Sequence, residues 1–173
     1  MDLGHDVYQI DTFMAGYSRI TAGYLIRGDR PCLVETGTAP SAPLVRVALA
    51  GLGVGPADLA TVVVTHIHLD HAGGTGDIAG MFPGAEVVVH ERGARHLADP
   101  SRLMASARGV WGDELDQLFG TLAPTPAERT RQRYAVLRDD ADPAMAAKYD
   151  RTSSTSANVA GILHYLDKDP QDP

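Results

Sequence analysis

The hydrophobic pattern along the first 125 residues alternates between two periods. Ile20, Ala22, Tyr24 and Ile26 alternate with polar or small residues, which predicts a strand with that set on its buried face. The turn cluster Gly28-Asp29-Arg30-Pro31 follows, and Cys32-Leu33-Val34 reads as a returning strand, so residues 20–34 form a hairpin. A helix is expected to start at Ser41 or Ala42, because Pro43 suits a first turn, with Leu44, Val45, Val47, Ala48 and Leu52 as its apolar stripe. Gly51 and Gly53 end it. Ala60-Thr61-Val62-Val63-Val64-Thr65 is a β-branched run and predicts a central strand buried on both faces.

Beyond that strand, Gly73-Gly74-Thr75-Gly76 reads as a flexible link into a short helix over residues 77–81. Glu86-Val87-Val88-Val89-His90 is a second buried strand. Residues 91–120 read as helical pieces at 92–98, 100–108 and 113–119, broken at Asp99-Pro100, Gly109 and Gly112. The character changes after Thr125-Pro126. Residues 127–150, rich in Arg, Asp and Ala, suit a solvated helix, and Thr152-Ser153-Ser154-Thr155-Ser156 is a linker signal. Residues 167–173 read as a disordered tail. A soft boundary near residue 127 divides a domain at 1–127 from a divergent helical or irregular segment at 128–173.

Composition narrows the function classes. An apolar fraction of 44% over 173 residues supports one cored domain. No apolar run approaches the roughly 20 residues of a membrane helix, and no basic stretch precedes an apolar one at the N-terminus. A soluble, cytoplasmic protein is the expectation. The net charge of −7 argues against nucleic-acid or anionic-membrane partners, which need a basic surface. Cys32 is the single cysteine, so no intrachain disulfide can form, and its apolar setting predicts a buried structural thiol.

The chemistry concentrates at the end of the valine-rich strand. His66, His68, Asp70 and His71 stand there as His-x-His-x-Asp-His. Residues two apart point the same way in extended backbone, so His66 and His68 can aim at one point. Asp70 and His71 follow on the turn and can aim at a neighbouring one. Imidazole and carboxylate donors suit zinc, iron or manganese, and no thiolate is present to favour a soft structural site. The C-terminal edge of a strand is also where open α/β sheets place their sites. The plain alternative is a surface loop that happens to be rich in histidine.

Thr65-His66-Ile67-His68-Leu69-Asp70-His71-Ala72-Gly73-Gly74 resembles the signature loop of the metallo-β-lactamase superfamily. Residues 20–34 resemble that family's N-terminal hairpin. Leu33-Val34-Glu35-Thr36-Gly37 resembles its strand-end motif, usually Asp-Thr-Gly, with Glu35 as a departure. Val87-Val88-Val89-His90-Glu91 resembles the next strand, and residues 96–126 resemble a helical insertion of some members. The likeness covers about residues 5–127. It implies an α/β fold, the αββα sandwich of that family, with the first half clear and the second truncated or divergent.

The resemblance also implies a metal-dependent hydrolase with two zinc ions. His66 and His68 would hold the first, and Asp70 and His71 the second. Asp70 would in addition act in catalysis by orienting the nucleophilic water. Family substrates are small molecules: esters, thioesters, lactones, lactams and phosphodiesters. The family completes its site from a second half, with a third histidine, a bridging aspartate and a last histidine. Downstream of His96 the only histidine is His164, a possible third ligand; Asp167 is a weaker candidate for the bridge. His5, His90 and His96 read as structural or surface residues, and Trp111 and Tyr134 as packing residues. Arg129, Arg131 and Arg133 read as a solvated face. Two further readings follow from the unmatched second half. One is a catalytically incomplete metal-binding or interaction module. The other is a homodimer that covers the sheet face and supplies ligands across its interface.

Overall fold

The computed structural model describes residues 1–132. Its strands are β1 (Val7–Asp11), β2 (Ala22–Ile26), β3 (Cys32–Val34), β4 (Thr61–Val63), β5 (Glu86–Val89) and β6 (Thr130–Gln132). They form a six-stranded sheet in the order β1-β2-β3-β4-β5-β6. β1, β2 and β3 pair antiparallel, whereas β3, β4, β5 and β6 run parallel. Short antiparallel strands need only turns between them, but each parallel pair needs a crossover. Helix α1 (Ala42–Gly51) connects β3 to β4, and α2 (Leu69–Ala72) with α3 (Thr75–Met81) connects β4 to β5. The last crossover runs through α4 (Glu91–Ala98), α5 (Ser101–Trp111) and α6 (Glu114–Leu118).

One apolar cluster joins the sheet to these helices. Leu25, Leu33, Val62 and Val87 are fully buried across adjacent strands, and Val45 and Leu49 of α1 and Ile78 of α3 belong to the same cluster. Each buried side chain of this size contributes about 1.5–3 kcal/mol. β4 lies between two parallel neighbours, and its Val62 and Val63 are both buried, as its unbroken apolar run predicts. Parallel strands covered in this way lose the alternation that marks a half-solvated strand.

Several local expectations are corrected. In β2 the fully buried side chain is Leu25, while Ala22, Tyr24 and Ile26 are half-buried and Ile20 is exposed. Leu25 pairs with Leu33 across the hairpin, and the helices cover that face. The more numerous apolar set therefore does not mark the core side. Gly73, Gly74 and Gly76 are not a flexible link: all three are buried, and Thr75 and Gly76 lie within α3. A methyl group on Gly76 would collide with the Ala123 backbone carbonyl, and one on Gly74 would meet the Thr38 carbonyl at 3.0 Å. These glycines permit close backbone packing. Gly109 lies within α5, and the break comes at Gly112, whose φ is +53°.

Residues 127–132 are not the start of a solvated helix. A 3₁₀ turn, Ala127–Arg129, leads into β6, which pairs with β5. Nor is Arg129 part of a solvated face. Its guanidinium donates to the carbonyls of Ala79 (2.6 Å) in the last turn of α3, Phe82 (2.8 Å) at its cap and Ala85 just beyond. Arg131 is paired with Glu86. The expectations for Arg133, Tyr134, His164 and Asp167, and for the linker and tail signals, lie outside the described residues.

Candidate metal centre

The centre is assembled at the C-terminal ends of β3 and β4. After Val34 the chain turns through Glu35 in a left-handed conformation, φ +64°, while Glu35 N still donates to Val63 O at 2.9 Å. A non-glycine residue there costs about 1–3 kcal/mol and persists only where its surroundings hold it. Glu35 is 1% exposed. Its Oε1 accepts from the Thr65 backbone N–H at 2.8 Å, which ties the end of β3 to the start of the metal loop.

The loop leaves β4 with its apolar and polar residues separated. Leu69 is buried in the core, and Ile67 packs against it, where Gly93 leaves room for its methyl group. His68 is exposed and precedes α2 in extended backbone. The His71 carbonyl accepts from Thr36 N (2.9 Å) and Thr36 Oγ1 (3.0 Å), and the Ala72 carbonyl from Thr75 Oγ1 (2.7 Å). Buried hydroxyl groups thus hold the single turn of α2 in place.

The imidazoles converge. The His66 ring lies 4.7 Å from that of His68 and 4.3 Å from that of His71, centroid to centroid. His66 Nδ1 is 2.9 Å from the Thr65 hydroxyl, which leaves Nε2 for ligation. His71 stands between two carboxylates. Its Nε2 is 3.3 Å from Asp70 Oδ2, and its Nδ1 is 2.8 Å from Glu35 Oε2. Among the described residues, donor atoms of Glu35, His66 and His71 lie within 4.8 Å of one another. All four predicted ligands therefore stand in one neighbourhood, and Glu35 joins them.

The charges follow this geometry. The Asp70 carboxylate beside Nε2, and then the Glu35 carboxylate beside Nδ1, raise the His71 pKa to about 10. The same contact with His71 holds Asp70 below its ordinary value of 3.8. Burial, followed by the neighbouring His71 charge, pushes His66 below 6.5 and so keeps it a neutral donor. Glu35 Oε2 and His71 Nδ1 are buried and in contact, yet not aligned as a hydrogen bond, and neither has another partner.

These residues fit a metal ion. Two ligands about 2.0–2.1 Å from a tetrahedral zinc lie about 3.4 Å apart, close to the 3.3 Å between Asp70 Oδ2 and His71 Nε2. The donors are nitrogen and oxygen only, which suits zinc, iron or manganese. Cys32, the one thiol, is buried, and burial pushes its pKa up to about 12, as a structural role requires.

The remaining histidines of the described region stand apart from this group. His90 Nδ1 accepts from Arg92 N at 3.1 Å and caps α4. His96 takes a contact from Arg95 Nε at 3.3 Å, and His5 is exposed in the first turn. Trp111 packs on Phe119, with ring centroids 5.2 Å apart. Sequence reasoning noted Glu35 only as a departure from a motif. The signal available was an acidic residue closing a fully apolar strand, where a charge is retained only with a partner.

Comparison with known proteins agrees with this fold. The human Metallo-beta-lactamase domain-containing protein 1 is 46% identical over 59 residues, which is 34% of this chain and 21% of the human protein. MEM-A1, a subclass B3 metallo-beta-lactamase from a soil metagenome library, superposes with a TM-score of 0.57 at 22% identity. That match covers 76% of this chain and 44% of MEM-A1. FEZ-1 from Legionella gormanii gives a TM-score of 0.53 at 16% identity over 75% of this chain and 44% of its own. At such identities the structural matches establish the fold, and the chain spans less than half the length of these relatives. The profile of the Metallo-beta-lactamase superfamily matches residues 17–145, most of the sequence, and the chain belongs to that superfamily.

Proposed function

We propose that this chain is a metal-dependent hydrolase that uses an activated water on a small molecule carrying an ester, thioester, lactone, lactam or phosphodiester group. The observation that carries this reading is the convergence of His66, His71 and two carboxylates at the ends of β3 and β4. The proposed resident ions are zinc, with His66 and His68 holding one and Asp70 and His71 the other. A bound divalent cation supplies a water of lowered pKa and polarises the oxygen of the group to be cleaved.

The chain's own residues do the rest. The Thr65 hydroxyl fixes the His66 ring, and the core positions of Ile67 and Leu69 set the direction of the loop. Asp70 presents one oxygen beside His71, and its second oxygen is proposed to accept a hydrogen bond from the nucleophilic water. The protein purified without added metal should carry roughly two metal equivalents by elemental analysis. It should turn over a chromogenic ester, and His66→Ala or Asp70→Ala should abolish that turnover. Tightly bound metal with no hydrolysis across these substrate classes would sink the proposal.

A second reading is a non-catalytic module that binds one metal. It is favoured by the single group of donors at ligand spacing among the described residues, Glu35, His66 and His71. It predicts at most one metal equivalent and no hydrolysis, so the same elemental analysis separates the two.

A further inference from the structure

We infer that the chain pairs with a second copy of itself through the outer face of α1 and α6, as a two-fold dimer that leaves the sheet out of the interface. The inference is independent of the hydrolase reading. An apolar groove of about 440 Å³ lies on this face, lined by Phe13, Ala15 and Gly16 of the β1–β2 loop, by Pro40, by Leu44 of α1 and by Gln117 of α6. Phe13, Leu44, Val47 and Trp111 are between 44% and 64% exposed. Val47 lies about one turn beyond Leu44. Trp111 packs on Phe119, whose carbonyl accepts from Ala39 N beside Pro40. Phe13 is held in place at the groove. Its backbone is left-handed, φ +48°, and the Asp11 carboxylate pins the loop by accepting from Phe13 N at 3.0 Å and from Arg19 N at 2.9 Å. A strained residue of this kind persists only where its surroundings fix it.

Area and charge select the occupant. A standard interface buries about 800 Å² per partner, somewhat more than half of it apolar. Phe13, Leu44, Val47 and Trp111 together expose on the order of 400 Å², close to that need. Ala42, Val45 and Leu49 of α1 are buried. At about 3.6 residues per turn, Leu44 and Arg46 then fall on opposite flanks of the exposed side, with Val47 between them. The Leu44 flank borders α6, where Glu114 stands about one turn before Gln117. One edge of the patch is therefore basic and the other acidic. Among the described residues neither Arg46 nor Glu114 has an ion-pair partner. A partner of one charge sign would leave one edge unmatched. Two copies related by a two-fold axis near Val47 set Arg46 of each against Glu114 of the other, as a self-complementary interface requires.

The test is the molar mass of the full chain by analytical ultracentrifugation across a concentration series. A dimer is expected to form by about 100 μM. Leu44→Glu should weaken association about 100-fold or more, since it places a charge in the apolar centre. Arg46→Glu and Glu114→Arg should each weaken it about 10-fold, and the double exchange Arg46→Glu/Glu114→Arg should restore it. That rescue decides the matter even if Leu44→Glu does not fold, because a folding defect would not be repaired by exchanging two exposed charges. A wild-type chain that stays monomeric at about 100 μM, a dimer untouched by Leu44→Glu, or a double exchange that remains monomeric would each overturn the inference. Each of these outcomes leaves the metal-dependent reading standing.

Discussion

Two strand ends in this protein have nearly the same sequence and different fates. Val62-Val63-Val64-Thr65-His66 closes β4, and Val87-Val88-Val89-His90-Glu91 closes β5. The strands are parallel neighbours in register, Val62 with Val87 and Val63 with Val88. Each delivers a histidine just beyond its C-terminal end. His66 joins His68, His71 and two carboxylates, whereas His90 turns onto its own helix and accepts from Arg92 N. The strand end places an imidazole at the sheet edge; beyond β4 the chain adds His68, Asp70 and His71 to the same neighbourhood, and a second element adds a further carboxylate. For β4 that element is the end of β3, through Glu35.

The largest expected effect breaks this symmetry directly. His66→Ala should cut metal affinity by about 100-fold or more, given that loss of an outer partner alone costs 10–100-fold. His90→Ala should leave the metal content unchanged. Elemental analysis of both variants checks the pair, and metal lost from the His90 variant would erase the distinction between the two strand ends.

The second prediction uses the charge on His71. Its pKa is raised from 6.5 to about 10 in the folded, metal-free chain, first by Asp70 and then by Glu35. The stabilisation is therefore fully present below about pH 6.5 and lost as the pH rises towards about 10. Asp70, held below 3.8, contributes at pH values above that and loses its contribution in acid. Denaturant midpoints measured in chelator should fall steadily from pH 6.5 to pH 10. Saturating zinc should flatten the slope, because a metal ion takes the place of the proton. An equal slope with and without zinc would place the metal elsewhere.

Two smaller effects concern the scaffold. Gly76→Ala would press a methyl group against the Ala123 backbone carbonyl and should destabilise the fold by about 1–3 kcal/mol. A neutral result by thermal or denaturant melting would mean that α3 can shift, and that α2 is held less firmly than its bonds to Thr36 and Thr75 suggest. His90→Ala removes a helix cap and should cost about 1 kcal/mol. Melting measurements check this beside the unchanged metal content.

The predicted elements that proved most legible were those with a single physical cause. The β-branched run of β4 could only be a covered strand, and Ala42, Pro43 and Gly53 bracketed α1 as capping rules require. The face of β2 was not legible, because Ala22, Tyr24 and Ile26 outnumber Leu25 while the helices lie on the Leu25 side. The glycines of residues 73–76 read as freedom, since sequence does not reveal which carbonyl will lie against a missing side chain. Arg129 read as solvated for a similar reason: its three acceptor carbonyls belong to residues 44, 47 and 50 positions earlier.

By itself, the sequence determined the family, most of the strands and helices between residues 20 and 119, and the loop that carries His66, His68, Asp70 and His71. These are local properties, fixed by periodicity, turn chemistry and the spacing of donors along one stretch of chain. Only the tertiary structure decided that Glu35 enters the centre, that His90 does not, and which His71 nitrogen each carboxylate meets. Those outcomes depend on the parallel pairing of β3 with β4, which brings residues 35 and 65 together across 30 positions of sequence. A buried charge is then retained only because that pairing gives it a partner.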